Sequence, residues 1–542
     1  MNKLYKTILS LSLLFSPFMG KAQQNNFFEI AKQIEIFTTL FKEINTNYVD
    51  DTNPAQLMDA AIKKLLDDLD PYTKFYNEQD VEQARYNQAN DNTGIGAKVL
   101  LQKDKLIIIE PYKDYAADRA GLKAGDEIVK VNEVSVADFN DDASNLLQGT
   151  PGSEVKLTYK RQNKENTAVL KRTALPIKAV PFYEMIGNDT GYVVLSSFTK
   201  TASSEVLSAI QTLKDEGATK FILDLRGNLG GLLNEAVKIV NFFVPKGQLV
   251  VNTKSKIKKY NTTYITKKDP VDLDLPLVVL INGRSASASE IVSGALQDLD
   301  RAVVIGSRSF GKGLVQRPKP LLYGTQMKIT ISRYYTPSGR CIQALDYWNR
   351  DENGKATRVK QENANAFKTK NGRTVYDGGG ITPDIDMSIS KLDPIVKAIE
   401  DENLIFNYAT DFYYKHPKFD STSFQFSESD FKNFKSYLKQ NNFNFKTKTE
   451  QAITKALNID GEKELVESIQ NEYEILKKSI ENFKDKSIDD NKEELINLLT
   501  DEIIKRYVYI EGVYQHKITN DQVIKKAIKI LSSPVEYQKI LQ

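Results

Sequence analysis

Three serines stand at alternate positions, Ser285, Ser287 and Ser289, in the run INGRSASASE, and Lys312 follows in SFGKGLVQ between Gly311 and Gly313. A serine at a strand-to-helix turn with a lysine on a nearby loop is what a serine–lysine hydrolase needs: a nucleophile and an amine base. The commoner base is missing from this region. The chain has 2 histidines, His416 and His516, both in its last third. A hydrolase in the middle of the chain therefore has no local imidazole, and a histidine-rich metal site is excluded. The single cysteine, Cys341, lacks a nearby histidine to activate it, and one cysteine rules out an intrachain disulfide.

Both candidate residues have plainer readings. Ser287 and Glu290 have capping-box spacing, so Ser287 also reads as a helix start. The two readings are compatible, because a nucleophile at a helix N-terminus has free N–H groups beside it. Residues 306–312, GSRSFGK, have P-loop spacing. There Gly313 replaces the Ser or Thr that would hold magnesium, and Pro318 and Pro320 forbid the helix a P-loop requires. The nucleotide reading fails on both counts.

The elements that must position these residues alternate strand and helix. An apolar, β-branched run over 275–281 reads as a buried strand, a helix follows the serines to about Leu299, and 302–305 reads as a second strand. Upstream, GYVVLSSF, SSEVLSAIQTLKDEG and FILDLRGNLGGLLNEAVKIVNFF give strand, helix, and strand–glycine turn–helix, an α/β core with functional loops at strand ends. The turn lacks a dinucleotide GxGxxG. Gly230 and Gly231 present bare N–H groups at a helix start, which suits an oxyanion, beside the simpler reading of a tight connection.

Length and balance bound the rest. The 542 residues suggest several domains, the 41% hydrophobic fraction supports packed cores, and a net charge of +3 from 74 basic and 71 acidic residues disfavours a nucleic-acid partner. Residues 1–22 read as a secretory signal: Lys3 and Lys6, an apolar stretch over 8–19, then Gly20-Lys21-Ala22. The residue after the expected cleavage, Gln23, is not a cysteine, and no other run reaches membrane-spanning length. The expectation is an exported protein, periplasmic or extracellular, with no stable membrane insertion. Residues 23–91 read as helical, a packing module or dimerisation surface, so self-association is among the expected partners. Residues 391–542 read as a charged helical bundle for stability or oligomerisation.

Residues 92–175 turn β-rich and resemble a PDZ domain of the kind found in secreted proteases. The matching residues are the loop Gly94-Ile95-Gly96-Ala97, then Ala120-Gly121-Leu122, Gly125-Asp126 and Val131-Asn132. PDZ domains accept an extended peptide as an added strand, with N–H groups of the glycine-bearing loop on its terminal carboxylate. The resemblance thus makes Gly94, Ile95, Gly96 and Ala97 the peptide-binding residues.

ILDLRGNLGG (222–231), INGRSASASEIVSGALQDLDRAVVIG (281–306), SFGKGLVQ (309–316), YYTPSGRCIQ (334–343) and GITPDI (380–385) together resemble the carboxy-terminal processing peptidases, also called tail-specific proteases. The resemblance covers residues 30–390. It implies a mixed α/β multidomain chain, with a crotonase/ClpP-like protease core over 176–390, an inserted PDZ domain, and helical regions at both ends. It puts the nucleophile on Ser287, the general base on Lys312 and the supporting glutamine on Gln316. The implied oxyanion donors are the N–H groups of Ala288 and of the Gly230-Gly231 turn. The implied partners are polypeptides with exposed C-termini, and no metal or organic cofactor is implied. An unperturbed lysine has a pKa of about 10.4, so Lys312 is expected to be enclosed, away from carboxylates. Asp298 shares a helical face with Ser287 but sits roughly 16 Å along the axis, which gives it a structural role. Residues 344–377 depart from the family pattern and read as a surface hairpin or flap. A catalytically silent peptide-binding scaffold is the alternative, and the joint presence of Ser287, Lys312 and Gln316 argues against it.

Overall fold

The computed structural model describes residues 18–82, 93–102, 104–139, 142–174, 178–352, 354, 356–359, 363–387, 393–420, 424–458 and 463–542. Residues 1–17 of the segment read as an export signal lie outside them, and 18–22 open a helix spanning Phe18–Asn47. The chain forms two units: Met1–Gln79 with Gln316–Ile329, and Asp80–Val315 with Thr330–Gln542.

In the first unit, Asn53 caps the helix Pro54–Asp67 by accepting the Gln56 N–H at 3.2 Å, and Pro54 fits the first turn because no N–H is needed there. The Asp70-Pro71-Tyr72 turn closes through Asp70 Oδ1, which accepts the Tyr72 and Thr73 N–H groups at 2.8 Å each. Helix does not continue as expected. Lys74–Tyr76 is a strand, antiparallel to residues 326–328, because after the turn the chain pairs with a sheet edge instead.

The second unit begins with the β-domain. Its sheet runs in the order Ala97–Gln102, Lys105–Pro111, Glu127–Val131, Glu154–Arg161, Lys164–Lys171. Alternation decides which face is buried: Val155, Leu157 and Tyr159 point inward onto Leu106, Ile108 and Ile128. Arg161 fastens the Gly125-Asp126 turn with a fork on Asp126, at 2.7 Å from both Nε and Nη2.

The α/β core is a six-stranded sheet, in the order β1 (Phe182–Ile186), β2 (Thr190–Val194), β3 (Lys220–Asp224), β4 (Leu277–Ile281), β5 (Val303–Gly306) and β6 (Ile385–Asp386). All neighbours from β2 onward are parallel. Parallel strands are covered on both faces, which is why β4 reads LVVLI without alternation. On one face lie α1 (Ala202–Asp215), α2 (Leu233–Asn241) and α3 (Ala288–Asp298), packing Val206, Ile239 and Ile291 on Leu223 and Val279.

The other face is closed by the end of the chain. A bundle holding Val396, Ile399, Phe434, Leu495 and Ile503 includes the first part of α4 (Lys492–Asn520). The chain then leaves it, and α5 (Gln522–Leu531) and α6 (Pro534–Leu541) lay Ile524, Ile530, Leu531 and Tyr537 on Ile222, Val278, Leu280 and Ile305. Full burial of such a side chain stabilises by about 1.5–3 kcal/mol. The C-terminal segment is therefore in part the helical bundle expected of it and in part a covering layer of the sheet. The stretch 344–377 forms two hairpins, Leu345–Arg350 with Ala356–Arg358 and Ala366–Lys368 with Thr374–Tyr376. Arg373 pins the second to the core through Asp300 at 2.7 Å and Asp384 at 2.5 Å.

Candidate active site

Two loops leave the C-terminal ends of β3 and β4, where ligands of open α/β sheets sit. The three serines behave differently there. Ser285 is buried, donating to the Leu225 carbonyl at 2.8 Å and accepting the Asn282 N–H at 2.9 Å. Ser289 is buried and donates to the Asn228 carbonyl at 2.9 Å. Both pin the serine loop to the β3 turn. Ser287 is half-exposed, with φ 55° and ψ −110° at the start of α3. A side-chain-bearing residue held there costs about 1–3 kcal/mol, and its neighbours must hold it.

Glu290 does much of that holding. Its buried carboxylate accepts the Ser287 N–H at 2.8 Å and the Lys312 N–H at 2.9 Å on Oε2, and the Gly311 N–H at 2.7 Å and the Ser309 hydroxyl at 2.5 Å on Oε1. Burial pushes this carboxyl above the ordinary carboxylate range, against the downward pull of those donors. The capping-box spacing signalled only the Ser287 contact. The links to the lysine loop carry no local sequence signature.

Lys312 is half-buried, short of the enclosure expected of it. Its carbonyl and that of Ser287 both accept the Tyr334 hydroxyl, the latter at 3.2 Å. Gly311, at φ 89°, passes so close to Ala344 that an added Cβ would lie 2.3 Å from the Ala344 Cβ. After Gly313 the chain enters the strand Leu314–Pro320, not a helix, as the two prolines require. Gln316, half-buried, belongs to the first unit.

The β3 turn lies directly against Ser287. At φ 100°, Gly230 has room for no side chain: a Cβ would stand 2.7 Å from the Ala286 oxygen and 2.9 Å from the Ser287 Cβ. One expected donor is corrected here. The Gly230 N–H is taken by Asn228 Oδ1 at 2.8 Å, because the tight turn folds the Asn228 side chain back on it. Among the described residues, the N–H groups of Ala288 and Gly231 have no acceptor. Asp224 and Arg226 brace the same turn. Asp224 is buried and accepts from Tyr192 at 2.7 Å and from Arg226 Nη2 at 2.6 Å. Asp298 is tied up elsewhere, in an ion pair of 2.7 Å with Arg340, both side chains fully buried.

Ser287, Ala288, Lys312 and the glycine turn thus meet, while Gly94–Ala97 lie apart in the β-domain. There Gly94 pairs with Thr173, and the Ile95 and Gly96 carbonyls accept the Ala117 and Tyr112 N–H groups at 2.7 and 2.8 Å. The first of these bonds seats the loop on the short helix Ala116–Arg119.

Comparison with known proteins agrees with this architecture. Residues 189–347 match peptidase family S41, 93–171 match the PDZ domain, and 395–531 match a family described as "Probable PDZ-protease, C-terminal helical domain". The chain is 33% identical over 344 residues to a carboxy-terminal-processing protease of Bartonella bacilliformis, covering 62% of this chain and 77% of that one. It is 34% identical over 305 residues to the carboxy-terminal processing protease CtpA of Bacillus subtilis, covering 56% of this chain and 65% of that one. The solved photosystem II D1 C-terminal processing protease is 26% identical, with a TM-score of 0.39 over 66% of this chain and 88% of that chain. With an α/β core, a PDZ domain and a C-terminal helical domain in one chain, this protein belongs to peptidase family S41, the carboxy-terminal processing proteases.

Proposed function

We propose that the chain is an exported serine endopeptidase in which Ser287 is the nucleophile and Lys312 the general base. The reading is supported above all by the convergence of both residues on the Glu290 carboxylate. The Ser287 hydroxyl passes its proton to the neutral Lys312 amine while Oγ bonds to the scissile carbonyl carbon. The oxyanion is stabilised by N–H groups of Ala288 and Gly231 at the start of α3 and in the β3 turn. Collapse expels the amine, which takes the proton from Lys312, and leaves an acyl ester that water hydrolyses. For Gln316, four residues after Lys312 in sequence, the family resemblance implies a supporting role.

The PDZ domain would capture the C-terminal tail of the polypeptide through the loop Gly94–Ala97, adding the tail to its sheet as a strand. Residues 1–22 remain our reading of an export signal; among the described residues no helix is long and apolar enough to cross a membrane. The test is turnover of a polypeptide with an apolar free C-terminus by the wild type and by Ser287→Ala. Cleavage by the wild type alone supports the reading. Equal cleavage by both, or none by either, overturns it.

A further inference from the structure

The ion pair between Arg226 and Asp521 joins two segments of the second unit that lie 295 positions apart in the chain. Arg226 follows β3 and opens the turn that carries Gly230 and Gly231. Asp521 precedes α5, in the helical segment that closes the far face of the sheet. Arg226 Nη1 meets Asp521 Oδ2 at 2.7 Å, while Nε and Nη2 of the same guanidinium clamp Asp224. Asp521 uses its other oxygen as a helix cap, accepting the Val523 and Ile524 N–H groups at 2.8 and 3.1 Å. Burial alone would raise the Asp521 carboxyl, but the guanidinium and the two N–H donors outweigh it and hold it below the ordinary carboxylate range.

The turn between these anchors is fixed from the other side by the serine loop. Asn282 Oδ1 accepts the Gly227 N–H at 3.0 Å, and the Ala286 N–H reaches the Asn228 carbonyl at 3.0 Å. Arg226 is thus the bridge by which α5 reaches a turn that abuts Ser287. We infer that Asp521 is a positioning residue for the proteolytic reaction, acting through Arg226 to hold the Gly230–Gly231 turn against the nucleophile. This rests on the serine–lysine protease reading. It makes the C-terminal helices a working part of the site as well as a cover for the sheet.

Asn caps helices about as well as Asp, so Asp521→Asn keeps the start of α5 while the oxygen that Arg226 meets becomes an uncharged NH2 group that cannot accept from it. The full chain is compared with Asp521→Asn and Asp521→Glu on a peptide with a free C-terminus, alongside amide hydrogen exchange of residues 225–232 and 522–531. The expected result is a kcat lowered at least about tenfold in Asp521→Asn with KM nearly unchanged, the pattern of a lost transition-state contact. Asp521→Glu should restore part of kcat. Exchange should quicken over 225–232 while 522–531 stays protected. An Asp521→Asn enzyme with wild-type kcat, or with raised KM alone, overturns the inference. A wild type without Ser287-dependent turnover would defeat the protease reading instead, and the exchange data would then decide: unchanged rates over 225–232 reject the positioning role.

Discussion

The N–H groups of Ser287 and Lys312 point at one oxygen, Glu290 Oε2, at 2.8 and 2.9 Å. A residue read from sequence as a helix cap is therefore the joint between the two loops that carry the proposed nucleophile and base. In Glu290→Gln, one carboxylate oxygen becomes an NH2 group that faces donors. Each buried donor left unsatisfied costs about 1–3 kcal/mol. The expected outcome is a lower denaturation midpoint together with a large loss of kcat, read by urea unfolding and steady-state turnover. A Glu290→Gln chain that keeps both would remove the joint from the account.

Gly230 sits where a methyl group would strike the Ala286 oxygen and the Ser287 Cβ. Gly230→Ala must displace Ser287, the turn, or both. Its φ of 100° adds strain that any side chain would worsen. We expect turnover to fall by about 100-fold or more, because a displaced turn carries the neighbouring Gly231 N–H out of place, while peptide binding by the PDZ domain is unchanged. Calorimetric titration of a C-terminal peptide separates the two effects.

The depressed Asp521 carboxyl predicts a direction of pH dependence. A carboxylate whose folded pKa is lowered contributes stability that is fully present above its unfolded value, about 3.9 for Asp. That stability is lost as pH falls through the lower folded value. Thermal melts from about pH 6 to about pH 2 should therefore show the wild type more stable than Asp521→Asn at the upper end. The gap should close below about pH 4. A gap that stays constant with pH would mean that the ion pair with Arg226 contributes nothing.

Much of this was legible in the sequence where the signal is local. The apolar run of β4, the glycines of the β3 turn and the alternation in Glu154–Arg161 each follow from a short stretch of chain. The histidine scarcity and the prolines after Gly313 likewise narrowed the chemistry without reference to fold. What escaped was long-range. Asp521 and Arg226 are 295 positions apart, and neither breaks a local pattern. Glu290 satisfied a helix rule so well that its bonds to Gly311 and Lys312 had no separate trace. Gly230 reads from sequence as an oxyanion donor or part of a tight connection, and the Asn228 side chain that occupies its N–H is a property of the folded turn. The amphipathic α5 looked like bundle because periodicity reports an apolar face without naming what covers it.

The serine–lysine pairing is tested most directly by acylation. The chain is treated with a serine-reactive phosphonate, digested, and the modified peptide identified by mass spectrometry, with the rate followed in wild type and in Lys312→Ala. The account predicts an adduct on Ser287, none on the buried Ser285 or Ser289, and labelling slowed at least about 100-fold without the lysine base. Labelling of Ser285 or Ser289, or a Lys312→Ala chain labelled at the wild-type rate, would contradict it.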